Sequence, residues 1–214
     1  MNEQQRNKMF GVLLEHSSEF KRLPIADGQW VIENPKQAIA LCIEAIKNRN
    51  KTMSGVFESE YLKLISGGKI LTIDQCDGQR VIADAKDVFS NIDSDFRIWK
   101  ADEAGQATPD TPVNVFELVE DGMFSEFFGS LTTDTDRLCF TQDQIIVFVK
   151  KYRNWLRMGG YATFFVFKSH GEFFVADALF RSDGTLSVGV DRLEDVCCWG
   201  AERRHRVVVP QLVA

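Results

Sequence analysis

Near the C-terminal end of the chain, Glu202, Arg203, Arg204, His205 and Arg206 run directly into Val207, Val208 and Val209. Guanidinium groups are planar forks that hold carboxylates or phosphates through paired hydrogen bonds, and an imidazole beside them titrates near neutrality. The chemistry on offer is anion recognition, or else charge pairing inside the fold. On a strand side chains alternate, so Arg204, Arg206 and Val208 would share one face and Arg203, His205, Val207 and Val209 the other. Upstream, Asp177 interrupts an apolar face of Phe173, Val175 and Leu179. A carboxylate in such company needs a partner, because an unpaired buried charge costs several kcal/mol. The expectation is that Arg204 or Arg206 pairs with Asp177 across a sheet. The alternative is that Asp177, Arg204, His205 and Arg206 converge on a pocket for an anionic ligand or substrate.

Other chemistry is less well supported. Cys197 or Cys198 with His205 is the one Cys/His grouping close in sequence, but nucleophilic catalysis is assembled in three dimensions and no catalytic residue is assigned. No C-x-x-C or H-E-x-x-H occurs, and the Asp74–Gly78 run puts Ile73 and Gln75 where a calcium loop needs oxygen ligands, so no metal or cofactor is expected. Asp93-Ser94-Asp95 lacks an accompanying nucleotide-binding fingerprint, and Gly67-Gly68-Lys69 lacks the upstream glycine and the following Ser or Thr of a phosphate loop. The five cysteines have no framework spacing and read as plain buried thiols.

The elements that must carry these groups follow from periodicity and punctuation. Met9, Phe10, Leu13 and Leu14 have helical spacing. Asp27-Gly28 suggests a turn into a short strand, and Asn34-Pro35 opens a helix with Ala38, Ile39, Cys42, Ile43 and Ile46 on one face. GGKILTID and GQRVIAD suggest a hairpin and DFRIWKA a third strand. The Pro-containing segment 102–112 reads as a linker. Beyond it VNVFELVED suggests a short helix, and Phe124, Phe127, Phe128 and Leu131 form one helical stripe. Thr141 caps a helix over QDQIIVFVKKYRNWL, followed by a meander YATFFVFK, EFFVADALF and TLSVGV and a fourth strand, HRVVVPQ. The fold class expected is α+β: a mixed lobe over 1–101, a linker over 102–112, and a module over 113–214 of helices packed on an antiparallel sheet of about four strands.

Composition bounds the partners. The formal charge of -6 makes nucleic acid an unfavourable partner. No run of apolar residues is long enough for a membrane helix and no secretion signal precedes the first expected helix, so the cytoplasm is the expected compartment. Seven acids and no Lys or Arg lie between Ala107 and Asp136. With Phe116, Phe124, Phe127 and Phe128 among them, the stretch 113–136 suggests a surface that docks on a protein partner, the alternative being amphipathic helices with solvated carboxylates.

The segments KKYRNWLRMGGYATFFVFK, EFFVADALFRSDGTLSV and WGAERRHRVVVPQL, within about 141–212, resemble a family of uncharacterised bacterial proteins. The resemblance covers the last third of the chain. It implies a bacterial cytosolic origin and a compact C-terminal module, and it carries no catalytic residue onto any position. The function expected is that of a non-catalytic binding or adaptor protein. The second expectation, an enzyme or small-ligand binder for an anion, rests on Asp177, Arg204, His205 and Arg206.

Overall fold

The computed structural model describes Gln29, residues 31–36, Ile39, residues 59–67 and residues 69–212. The chain divides into two compact units, Met1–Arg49 and Asn50–Ala214. In the first, Gln29, Val31, Ile32 and Glu33 are helical where a strand was expected, and Gln29 Nε2 donates to Glu33 Oε1 one turn on, at 2.8 Å. Asn34 interrupts the helix, which resumes at Pro35. The stripe of Ala38, Cys42, Ile43 and Ile46 and the expected helix at Met9–Leu14 lie outside the described residues, apart from a helical Ile39.

Among its described residues the second unit holds a nine-stranded mixed sheet: β1 (Leu62–Leu64), β2 (Leu71–Ile73), β3 (Asn91–Ile92), β4 (Thr111–Leu118), β5 (Cys139–Phe140), β6 (Ala162–Ser169), β7 (Glu172–Phe180), β8 (Leu186–Arg192) and β9 (Arg206–Pro210). The order is β1-β4-β9-β6-β7-β8-β3, with β2 also on β4 and β5 also on β6. The meander β6-β7-β8 is antiparallel as expected, but β9 does not extend it as a fourth antiparallel strand. It inserts between β4 and β6, parallel to β6 and antiparallel to β4.

Both faces of this sheet are buried, and the sequence of β6 explains why. Ala162, Phe164 and Val166 enter one core while Phe165 and Phe167 enter the other, so a continuous apolar run replaces an alternating one. The first face is covered by Ile145, Phe148 and Val149 of the helix α3 (Gln142–Lys151), together with Ile82, Val88, Phe89 and Phe96. Phe96 lies on α1 (Asp95–Ile98). The second face is covered by Phe124, Phe127 and Phe128 of α2 (Phe124–Gly129) and by Leu131 and Leu138. The capping box at the start of α3 is formed: Thr141 Oγ1 accepts from Gln144 N–H, and Gln144 Oε1 accepts from Thr141 N–H. Its next residues anchor the loops, Gln142 to Ile82 N–H and Glu103 O, and Asp143 to Gly78 N–H.

The expected α+β module with about four antiparallel strands is therefore corrected to a sheet-dominated fold with short helices. Much of the difference lies in residues 62–118. VNVFELVED is not a helix. It forms most of β4, whose Val113 and Val115 face one core and whose Phe116 and Leu118 face the other, a division that needs a period of two. DFRI is helical, and GQRVIAD holds a 3-10 turn at Ile82–Asp84 in place of a strand. β1 and β2 share one side of β4, interrupted by a bulge at which Ile65 and Ser66 both donate to Val115 O and Ser66 Oγ accepts the Val115 N–H. The segment 102–112 is not a link between lobes. Cys76 and Thr108 exchange main-chain hydrogen bonds of 3.0 and 2.8 Å, Gly105 donates to Gly78, and Thr111 already belongs to β4.

Candidate functional site

The strand β9 starts at Arg206, and the residue before His205 breaks the alternation on which the expectation rested. Arg204 has a left-handed backbone with φ of 50°, so its side chain leaves the plane of the strand. Arg204, His205 and Arg206 consequently go three different ways.

Arg204 is exposed and lines a cleft of about 440 Å³ with Lys63, Glu117, Ala201 and Glu202. Among the described residues its guanidinium makes no ion pair or side-chain hydrogen bond. Lys63 reaches the same cleft from β1, where it is the cross-strand neighbour of Glu117. Glu117 is in turn the neighbour of Arg206 on β9, which puts Lys63, Glu117 and Arg206 in one row across the first face.

Arg206 is half-buried and does not meet a carboxylate. Its Nη1 donates to Leu156 O at 3.0 Å and Asn154 O at 3.3 Å, and its Nε is sealed from water without a partner. Burial and the neighbouring Arg157 both disfavour its charge, and Glu117 favours it. Arg157 Nε is bound to Arg203 O at 2.9 Å. Lys63 and Arg204 share the cleft with two carboxylates, Glu117 and Glu202, of which Glu202 lies 3.4 Å from Arg203, and Asp121 Oδ1 accepts the N–H of Ala201 on the cleft wall.

His205 points to the second face and is 2% exposed. Its Nδ1 accepts the Ala162 N–H at 3.1 Å, which leaves the proton on Nε2, and Nε2 has no partner. The ring packs against Trp199, Phe164 and Tyr161 at centroid distances of 5.1, 5.3 and 6.1 Å. Burial, with Arg203 and Arg157 beyond it, holds the imidazole below its ordinary pKa. It is a neutral core group, and among the described residues no thiol joins it in a hydrogen bond.

Asp177 also faces the second side, opposite Phe164 on β6 and Gly189 on β8. Phe164 is aligned with Val207, whereas Arg206 is aligned with Thr163, so Asp177 and Arg206 lie on opposite faces of the sheet. The expected pairing of Asp177 with an arginine fails for that reason. A Cβ on Gly189 would overlap Asp177 Oδ1, so the carboxyl occupies the space a side chain there would need. Oδ1 has no hydrogen-bond partner, and burial, with Asp191 and Asp93 nearby, pushes the pKa up to about 7. Among the described residues no three His, Cys, Asp or Glu side chains are grouped to hold a metal ion.

Phe116, Phe124, Phe127 and Phe128 are 0–1% exposed. They form a packed aromatic core with Phe164 and Trp199 instead of a docking surface. Among the described residues no helix is long and apolar enough to cross a membrane. The four residues Asp177, Arg204, His205 and Arg206 do not converge. The residues that do share a cleft with Arg204 include Glu202 of the same charged run, and Lys63 and Glu117, which sequence reasoning did not select. The alternation Leu62-Lys63-Leu64 is the signal that could have placed Lys63 on a strand.

No family model, curated protein or solved structure matches the chain.

Proposed function

We propose that the chain binds a small organic anion, carrying phosphate or carboxylate groups, in the cleft between Lys63 and Arg204. The observation that carries this reading is Arg204. It is an exposed, unpaired guanidinium in a left-handed backbone conformation that costs a non-glycine residue about 1 kcal/mol or more, and it faces an open cleft. A residue whose role was to balance charge within the sheet would need neither feature. Lys63 supplies a second positive charge, and Glu117 and Glu202 can accept hydrogen bonds from hydroxyl or amine groups of the ligand.

Catalysis is not part of the proposal, because among the described residues no nucleophile and base are joined at the cleft. The reading as a protein-binding adaptor through 113–136 loses support, since its phenylalanine anchors are core side chains.

Thermal denaturation in pyrophosphate and in citrate, at low and high salt, tests the proposal. One of the two should raise the melting temperature in a saturable manner, and added salt should weaken the effect. Arg204→Gly relieves the backbone and removes the guanidinium, so its own stability should equal or exceed that of the parent while the anion-induced rise disappears. An equal rise in parent and variant, or none in either anion, refutes the reading.

A further inference from the structure

Cys197 and Cys198 are adjacent, and both are exposed instead of buried as the sequence suggested. We propose that they are a thiol–disulfide exchange site, closing a reversible disulfide between neighbours in reaction with a small-molecule disulfide. This proposal is independent of the cleft.

The chemistry is selective among the described thiols. Cys76 is buried, and burial raises its pKa. Cys139 is half-buried and its pKa is pushed up to about 12, again by burial, which suppresses the thiolate that exchange requires. Cys197 and Cys198 alone combine a free thiol with an exposed position among the described residues.

The backbone between them is free to turn. Neither residue belongs to a helix or strand, so the opposite-face geometry expected of a strand does not apply. Among the described residues, no main-chain hydrogen bond involves Val196, Cys197 or Cys198, and Cys197 Sγ has only a long 4.0 Å approach to Cys198 O. Ring closure therefore breaks no ladder. The flanks are held: Leu193 N–H donates to Phe173 O and Arg192 N–H to Asp195 Oδ2, and beyond the pair Trp199 exchanges bonds of 2.9 and 3.2 Å with Gly122. Consecutive Cα atoms are about 3.8 Å apart, closer than the ~4.4–6.8 Å usual for a disulfide, so the bond is strained and easily reduced. That property suits a switch and not a permanent staple.

The exchange balances. One cysteine thiolate attacks a sulfur of the small disulfide, forming a mixed disulfide and expelling one thiolate. The second cysteine thiolate then attacks the cysteine sulfur of that mixed disulfide, closing the ring and expelling the other. Two electrons pass to the small disulfide, which becomes two thiols by taking up the two protons the cysteines lose.

The test uses the reduced full chain, incubated with glutathione disulfide, alkylated with iodoacetamide and cleaved with trypsin. The peptide Leu193–Arg203 should emerge unalkylated and lighter by about 2 Da, the two hydrogens lost in ring closure. Excess dithiothreitol should reverse the change. Cys197→Ser and Cys198→Ser should each stop at a peptide carrying one glutathionyl group. A parent peptide that remains fully alkylated, keeps bound glutathione, or is cross-linked to another cysteine overturns the proposal.

Discussion

Replacing Asp177 by Asn keeps the shape of the side chain and removes its charge. The carboxyl sits above Gly189 with Oδ1 unpartnered, and its pKa is raised from the ordinary 3.8 to about 7 by burial and by Asp191 and Asp93. Folding therefore favours the protonated form. Below about pH 4 both folded and unfolded states hold the proton and the group carries no penalty. Between about pH 4 and 7 the unfolded state ionises first and stability falls as pH rises, and above about 7 the penalty is complete. A rise of about 3 pH units at ~1.4 kcal/mol each sets a ceiling of ~4 kcal/mol. Partial access to water and local relaxation reduce this to roughly 2 kcal/mol. For a unit of this size Asp177→Asn should melt about 4–8 °C higher than the parent at pH 8. The advantage should shrink steadily toward pH 4. Paired melting curves across that range, read by circular dichroism, test the reasoning. A variant no more stable than the parent at pH 8, or an advantage that does not change with pH, refutes it.

Gly189→Ala should destabilise by about 1–3 kcal/mol, because its Cβ overlaps Asp177 Oδ1. Most of that cost should vanish in an Asp177→Ala background, a coupling measurable by a denaturant double-mutant cycle. Tyr152→Phe removes a hydroxyl that accepts Thr72 N–H and donates to Thr72 O, at 3.0 and 2.9 Å, along the outer side of β2. It should lower the denaturation free energy by about 1–2 kcal/mol. Static light scattering should also show faster aggregation on warming, since a strand edge is then left open.

The parts legible in the sequence are those determined locally. The α3 cap is set by Thr141 and Gln144, and β6, β7 and β8 by short turns between apolar runs. β4 was not legible, because a short run such as Val113–Leu118 fits either period until its neighbours are known. The failure at the site has a sharper cause. The alternation from His205 to Val209 is present, with Val207 and Val209 in one core and Val208 in the other. What could not be read was register: β9 meets β6 with Arg206 beside Thr163, one residue out of step with the Phe164 that faces Asp177. A shift of one position transfers every side chain to the other side of a sheet. The left-handed turn at Arg204, a residue that lines the cleft, has no signature in a residue type that seldom adopts it.

The insertion of β9 between β4 and β6 affects how the protein is made. Until the ribosome has released Arg206–Pro210, the β1-β4 side and the β6-β7-β8 side have no strand to join them, and β4 and β6 each present an unsatisfied edge. The partners β4 and β9 are far apart in the chain, so their pairing is slow and comes late. A nascent chain stalled before Arg206 would hold two half-sheets with sticky borders, which makes this interval the one in which a holding chaperone would matter most.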